Sequence, residues 1–126
     1  MTRILVIDDD RQVRAMLRQA LEIEGHEVLE AGDGVVGVQL FRDEHPDLVL
    51  CDIIMPDKEG FACIMDIRQL DPGALVIAMS GGSQVHHMDV LQVAKHFGAC
   101  QVFWKPFDVR DVVKAVQDEL EGRRAA

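Results

Sequence analysis

Four apolar segments of this 126-residue chain end on side chains that can take part in chemistry. Those ends carry acids, a hydroxyl and an ammonium: Asp8-Asp9-Asp10, Asp52, Ser80 and Lys105. Apolar runs of this length, alternating with helical stretches, are typical of buried parallel strands. Because ligands bind at the carboxyl ends of the strands in open α/β sheets, we expect these side chains to meet at one edge of a sheet. The sequence therefore predicts a functional site there.

The chemistry that this set favours is phosphoryl transfer to a carboxylate. Asp8, Asp9 and Asp52 would repel one another when crowded together, and they would need a cation. Mg²⁺ fits because it prefers oxygen ligands and binds through one or two carboxylates. One neutralised carboxylate can then attack a phosphoryl group in line to give an aspartyl phosphate. Lys105 can pair with phosphoryl oxygens and Ser80 can donate a hydrogen bond to one.

The elements that must position these residues alternate along the chain. Strands are predicted at about 3–8 and 27–31 and immediately before Asp52, Ser80 and Lys105-Pro106. Helices are predicted at about 11–24, from 33 or 34 onwards, at 61–70, at 84–97 and from the capping Asp108 to about 121. Gly25 and Gly98 are the predicted helix stops. Repeated β-crossover-β connections indicate an α/β fold, a parallel sheet with helices on both faces.

Composition limits the other possibilities. The net charge of -9 argues against a nucleic-acid partner and against an anionic membrane surface. No apolar run approaches the ~20 residues of a membrane span, and the N-terminus shows no signal-peptide pattern. Cys51, Cys63 and Cys100 lie in apolar surroundings without Cys-x-x-Cys spacing, so we interpret them as reduced core residues and expect a cytoplasmic protein without a cysteine metal site.

Five short segments, in this order and spacing, resemble the receiver domain of response regulators in two-component signalling. They are Val6-Ile7-Asp8-Asp9-Asp10, Pro46-Asp47-Leu48-Val49-Leu50-Cys51-Asp52, Met55-Pro56 with Gly60, Ala78-Met79-Ser80-Gly81 and Lys105-Pro106-Phe107. The resemblance covers essentially the whole chain. It implies a three-layer, flavodoxin-like (βα)5 fold with a five-stranded parallel sheet in the order 2-1-3-4-5, an order that the spacing does not provide. We expect a single receiver domain over residues 1–126 and no output domain.

The resemblance also implies a role for each site residue. Asp52 corresponds to the phosphoacceptor, Asp9 to a direct Mg²⁺ ligand and Asp8 to a more distant, water-mediated acid. The backbone carbonyl of Ile54 would complete the protein's share of the metal ligands. Ser80 corresponds to the hydroxyl that moves toward the phosphoryl group. Lys105 corresponds to the ammonium that contacts it, and the Lys105-Pro106 peptide bond is implied to be cis.

These roles lead to a function with two alternatives. The expected function is that of a phosphorylatable receiver, which takes its phosphoryl group from a histidine kinase or a histidine phosphotransfer protein. Such a domain catalyses only its own phosphorylation and dephosphorylation. Its output would be a downstream protein or a homodimer, contacted through the face of the fourth helix, fifth strand and fifth helix. The alternatives are a pseudo-receiver that acts only by docking, and an aspartyl-phosphate phosphohydrolase, which would need an acid where Ile54 stands.

One position departs from the family pattern. The residue three before Lys105 is usually an aromatic or histidine switch residue, and here it is Val102. Trp104, the only tryptophan, is predicted to lie on the same side of its strand as Val102. It either senses the phosphorylated state in place of the missing ring or packs against the final helix, at Val109 or Val112. His86-His87 is interpreted as a solvated or half-buried helix start without metal, and Asp57 and Glu59, near the site in sequence, as solvated loop charges.

Overall fold

A computed structural model describes residues 2–53, 60–81 and 87–125 of the chain. Its strands are β1 (Arg3–Ile7), β2 (Glu27–Ala31), β3 (Leu48–Asp52), β4 (Val76–Ser80) and β5 (Gln101–Trp104). Its helices are α1 (Arg11–Ile23), α2 (Gly34–Glu44), α3 (Gly60–Leu70), α4 (His87–His96) and α5 (Val109–Ala125). The strands pair in parallel in the order β2-β1-β3-β4-β5, which confirms the flavodoxin-like arrangement.

Alternation along the strands divides the apolar side chains between two cores. Leu5 and Ile7 face one layer, which is formed by α2, α3 and α4. Ile4 and Val6 face the other, which is formed by α1 and α5. All four side chains are fully buried, because a parallel sheet covered on both faces needs apolar residues on both sides of each strand. This sandwich leaves the two ends of the strands as the places where polar groups can gather.

The edge strand β5 shows the same alternation at lower burial. Val102 packs against the α2–α3–α4 layer, whereas Phe103, like Val109, packs against the cluster that contains Val112. Trp104 follows Val102 by two residues and so belongs to the α2–α3–α4 side. Phe103 lies on the α5 side, and the packing of Trp104 against Val109 or Val112 stays one of the two predicted alternatives.

Helix ends follow the local signals in most cases. Asp10 caps α1, and its carboxylate accepts hydrogen bonds from the backbone amides of Gln12 at 2.8 Å and Val13 at 3.4 Å. Gly25 and Gly98 have φ values of 91° and 111° and end α1 and α4 as predicted. By contrast, α5 runs four residues beyond its predicted end at 121, through Gly122 to Ala125.

The cysteines are only partly as expected. Cys51 and Cys63 are buried and free, which agrees with small core residues. Cys100 is exposed and lies just before β5, so the expectation of a core position is wrong for this residue. Its sulfur donates a hydrogen bond to the carbonyl of Val76 at 3.2 Å, which ties the start of β5 to β4.

Candidate functional site

The predicted acids meet at the carboxyl edge of the sheet. Ile7 of β1 pairs with Cys51 of β3, so the residues that follow them, Asp8 and Asp52, come out side by side. One carboxylate oxygen from each of Asp8, Asp9 and Asp52 lies within 4.8 Å of the others. Asp8 and Asp52 are buried, with 0% and 2% of their surface exposed, whereas Asp9 is exposed. The cluster is therefore a pocket with two buried acids and one acid open to solvent.

Asp8 is the most firmly held member of this cluster. Its backbone amide donates to the carbonyl of Ala31 at 3.0 Å. One carboxylate oxygen accepts the amide of Asp10 at 2.8 Å, and the other accepts the ammonium of Lys105 at 2.7 Å. With both carboxylate oxygens engaged by the protein, Asp8 suits an orienting and water-mediated role better than a nucleophilic one.

Lys105 places its ammonium between the two buried acids. Its Nζ lies 2.7 Å from Asp8 Oδ2 and 3.3 Å from Asp52 Oδ2. Burial opposes the charged form, but the hydrogen bond to Asp8 and the charges of Asp52 and Asp8 raise the pKa of Lys105 above its ordinary value. The backbone amide of Lys105 donates to the carbonyl of Ser80 at 2.7 Å, and the Lys105-Pro106 peptide bond is cis, as the resemblance implied.

Ser80 lies at the same edge of the sheet, but its hydroxyl is hydrogen-bonded to the neighbouring backbone. It ends β4, is 3% exposed and is separated from Asp52 by one position in the register, since Asp52 pairs with Met79. Its hydroxyl donates to the carbonyl of Gly81 at 3.2 Å. The structure thus brings Ser80 to the rim of the acid cluster with a hydrogen bond that a rotation about χ1 would release.

The first residue of α3, Gly60, lies directly against the end of β3. A Cβ added to Gly60 would lie 2.1 Å from Ile53 Cα and 2.3 Å from the carbonyl oxygen of Asp52. Only glycine can begin α3 this close to the strand, which gives a structural reason for Gly60 in the segment that resembles the receiver family. The predicted roles of Ile54, Asp57, Glu59 and His86, and of the His87 side chain, lie outside the described residues.

The thiol beside Asp52 is not part of the chemistry. A hydrogen bond with Cys63, burial and the nearby charges of Asp52 and Asp8 together raise the pKa of Cys51 well above its ordinary value. A thiol held in the protonated form is neither a nucleophile nor a metal ligand. The oxygen atoms therefore define what the site can bind.

Sequence reasoning missed Arg14. Its guanidinium Nη1 donates to the backbone carbonyl of Asp8 at 2.7 Å, and its Nε donates to Glu30 of β2 at 3.1 Å. The only sequence signal is a cation near the N-terminus of a helix, the end at which the helix dipole disfavours positive charge. Every residue has a backbone carbonyl, so the sequence does not show which carbonyl Arg14 contacts.

The donor set fits a hard divalent cation. Two or three carboxylate oxygens at one rim are the ligands that Mg²⁺ prefers, and one exposed acid leaves room for the waters that this ion keeps. In the part of the site that the structure describes, two buried carboxylates accompany one ammonium, and this excess of negative charge favours a cation over an anion. The residues present therefore fit Mg²⁺.

Comparison with known proteins agrees with this geometry. The sequence profile of the response regulator receiver domain matches residues 4–117. Sporulation initiation phosphotransferase F of Bacillus subtilis is 30% identical over 94% of this chain and 93% of its own length. Regulatory protein AtoC of Escherichia coli is 35% identical over 94% of this chain, but the chain spans only 25% of that protein. A CheY-like receiver domain protein of Methanospirillum hungatei has a solved structure with a TM-score of 0.91, at 29% identity over 99% of this chain and 98% of its own.

The chain belongs to the response regulator receiver domain family. It is a phosphorylatable receiver of a two-component or phosphorelay system, a signalling module whose relatives work with histidine kinases or phosphotransfer proteins. Receiver domains bind Mg²⁺ at an acidic cluster of the kind that Asp8, Asp9 and Asp52 form here. Among the described residues, no helix is both long and apolar enough to cross a membrane.

Proposed function

We propose that residues 1–126 form one receiver domain in which Asp52 is the phosphoacceptor. The observation that carries this assignment is that Asp52 is a buried carboxylate at the end of a central strand, with a lysine ammonium 3.3 Å from one of its oxygens. A carboxylate oxygen of Asp52 attacks the phosphorus of a partner's phosphohistidine in line. The P–O bond forms as the P–N bond breaks, and the electron pair stays with the imidazole nitrogen.

The remaining residues make this transfer possible by position and charge. Asp9 and Asp52, the Ile54 carbonyl and, through water, Asp8 would hold Mg²⁺, which when bound supplies charge neutralisation for the incoming phosphoryl group. Lys105 keeps its ammonium beside Asp52 and pairs with a phosphoryl oxygen once that group is attached. Ser80 turns its hydroxyl from the Gly81 carbonyl to another phosphoryl oxygen. These groups serve the domain's own phosphorylation and dephosphorylation and no other substrate.

The proposed partners follow from the same arrangement. A histidine kinase or a histidine phosphotransfer protein donates the phosphoryl group. A downstream protein, or a second copy of the chain, reads the result at the α4–β5–α5 face, where all four residues of the edge strand β5 are partly exposed. The proposed location is the cytoplasm, where the three free cysteines would stay reduced.

Mass spectrometry after treatment with acetyl phosphate tests the acceptor. We expect one base-labile phosphoryl group per chain with Mg²⁺ present and none after chelation, because the crowded acids repel a phosphoryl donor that lacks a cation. Asp52→Asn should abolish the labelling. Asp118→Asn, which changes an exposed acid of α5, is the matched control and should leave it unchanged.

Equal labelling of wild type and Asp52→Asn would overturn the acceptor assignment. No labelling of the wild type by either acetyl phosphate or a phosphorylated histidine kinase would favour the pseudo-receiver alternative. Turnover of small phosphate esters would revive the phosphohydrolase alternative, although Ile54 stands where that chemistry needs its second acid.

A further inference from the structure

Arg14 joins the helix α1 to the backbone between the two adjacent acids. Its Nη1 donates to the Asp8 carbonyl at 2.7 Å, and that carbonyl belongs to the peptide group whose amide is that of Asp9. The groups on either side of this peptide are also held. The Asp8 amide donates to Ala31 at 3.0 Å, and the Asp10 amide donates to the Asp8 carboxylate at 2.8 Å. Among the hydrogen bonds of the described residues, the one from Arg14 therefore fixes the plane of the Asp8–Asp9 peptide.

The orientation of that peptide decides where the Asp9 carboxylate points. Asp9 is the exposed acid of the cluster, whereas Asp8 is gripped through both carboxylate oxygens. Rotation of the peptide would swing Asp9 relative to Asp8 and Asp52, whose carboxylates come within 4.8 Å of it. An exposed carboxylate with free backbone torsions would pay an entropy cost to bind a cation, and a fixed peptide removes part of that cost.

A positive charge so close to a cation site needs compensation, and Glu30 provides it. Glu30 accepts Arg14 Nε at 3.1 Å through one oxygen and Arg18 Nη1 at 2.5 Å through the other. Burial opposes ionisation of Glu30, but the hydrogen bonds from Arg18 and Arg14 lower its pKa below the ordinary value. Glu30 pairs with Val6 of β1 in the sheet, so the anchor of Arg14 belongs to the rigid part of the fold.

We propose that Arg14 is a positioning residue, which fixes the Asp8–Asp9 peptide and thereby aligns Asp9 with Asp8 and Asp52 for binding a divalent cation. The proposal rests on the function proposed above for the acid cluster. A positioning role and a purely electrostatic role predict opposite effects of removing Arg14 on cation binding. If Arg14 acted only through its charge, removing it would strengthen cation binding, because the guanidinium repels the cation. If it acts by positioning, removing it weakens binding.

The test compares wild type, Arg14→Met, Arg14→Lys and Arg18→Met. Methionine keeps the apolar stem of arginine without its donors, and lysine keeps the charge without the fork that reaches both acceptors. Arg18→Met is the matched control, because Arg18 also pairs with Glu30. Calorimetric titration with Mg²⁺ measures binding. Backbone ¹⁵N relaxation at the amides of Asp9 and Asp10, recorded without metal, measures the order of the turn.

We expect Arg14→Met to raise the Mg²⁺ dissociation constant roughly tenfold, the lower end of what the loss of an outer partner of a metal ligand costs. The order of the Asp9 amide should fall in the same variant. Arg14→Lys should be intermediate in both measurements and serves as the readout if Arg14→Met does not fold. Arg18→Met should keep the affinity within about twofold and the order unchanged, since it leaves the Asp8 carbonyl bonded to Arg14.

Stronger Mg²⁺ binding in Arg14→Met, unchanged order at Asp9, or an equal effect of Arg18→Met would each overturn the positioning role. A wild type that binds no Mg²⁺ would instead contradict the proposed function. The relaxation data would still decide whether Arg14 orders the turn.

Discussion

At the scale of single residues, the described part of the site holds more negative than positive charge. Asp8 and Asp52 are buried and share one ammonium, that of Lys105, at 2.7 and 3.3 Å. Removing one partner of a buried pair is costly because the other charge is left uncompensated. We therefore expect Lys105 to contribute to stability as well as to the proposed chemistry, and to do so most strongly when no other cation is present.

Replacing Lys105 with methionine should destabilise the protein and make it depend on Mg²⁺. We expect Lys105→Met to lower the free energy of unfolding by about 3 kcal/mol in the absence of Mg²⁺, because two buried carboxylates then face each other. Saturating Mg²⁺ should restore part of this loss, since a cation that binds only the folded state stabilises it. Urea denaturation with and without Mg²⁺ measures both effects.

Lys114→Met is the control for this experiment. Lys114 pairs with Asp118 at 3.1 Å, but both side chains are exposed, so the change should stay within about 0.5 kcal/mol and should not respond to Mg²⁺. Equal losses in the two variants, or a Lys105→Met protein indifferent to Mg²⁺, would show that the lysine does not compensate the buried acids.

Residue type and spacing identified the side chains of the site but not the contacts that hold them. Asp8, Asp52 and Lys105 were predicted because each ends a buried strand, and strand ends converge. The hydrogen bond from Arg14 was not, because a carbonyl acceptor is the same at every position of a chain. The present direction of the Ser80 hydroxyl, toward Gly81, depends on a rotamer and was equally beyond the sequence.

At the scale of elements, one glycine lets α3 pack directly against β3. Helical Gly→Ala substitutions usually stabilise a protein, but a Cβ on Gly60 would overlap backbone atoms of Ile53 and Asp52 at 2.1 and 2.3 Å. Backbone atoms cannot yield as the end of a side chain can, so either α3 or the end of β3 must move.

Gly60→Ala should therefore lower the free energy of unfolding by about 3 kcal/mol, the upper range for overpacking. It should also reduce phosphorylation, because the displaced backbone carries Asp52. Gly122→Ala is the matched control in α5, where an added Cβ meets nothing within 4 Å. That variant should gain about 0.5 to 1 kcal/mol. Thermal and urea unfolding compare the two, and a Gly60→Ala protein as stable as the wild type would contradict the close approach.

Helix boundaries show where local signals decide and where tertiary contacts do. Gly25 and Gly98 adopt positive φ and stop their helices, as glycine at a helix end commonly does. Gly122 does not stop α5, because glycine within a helix costs only about 1 kcal/mol and the last turn has its own anchor. Arg123 donates to the carbonyl of Asp47, just before β3, at 3.3 Å. No local pattern encodes that distant contact.

At the scale of the whole molecule, periodicity predicted a parallel sheet but not the order of its strands. The apolar runs and helical spacing establish five βα units, and crossover connections make the strands parallel. After β2, the next strand is added on the opposite side of β1, and no residue type marks this change of direction. The order 2-1-3-4-5 came from the resemblance, and the register of β1 between β2 and β3 confirms it.

A receiver passes on its phosphorylated state through a change at its surface, and Trp104 lies where such a change would alter its surroundings. Trp104 is partly exposed on the edge strand β5 and pairs in register with Ser80, and the next residue, Lys105, donates its amide to the Ser80 carbonyl. A shift of the Ser80 backbone that accompanies the turn of its hydroxyl toward a phosphoryl group would therefore be passed to the backbone around Trp104. With Val102 in the position that the family usually gives to an aromatic ring, this indole is the large side chain on that side of β5.

We expect the fluorescence of this single tryptophan to change when Mg²⁺ and beryllofluoride, a phosphoryl mimic, are added together. Asp52→Asn should show no change, because the mimic needs the acceptor carboxylate. Ser80→Ala should bind the mimic with a smaller change, since the hydroxyl that transmits the movement is missing. Identical emission intensity and wavelength in wild type and Asp52→Asn would mean that Trp104 does not sense the site. A full response in Ser80→Ala would mean that the signal reaches Trp104 through Lys105 instead.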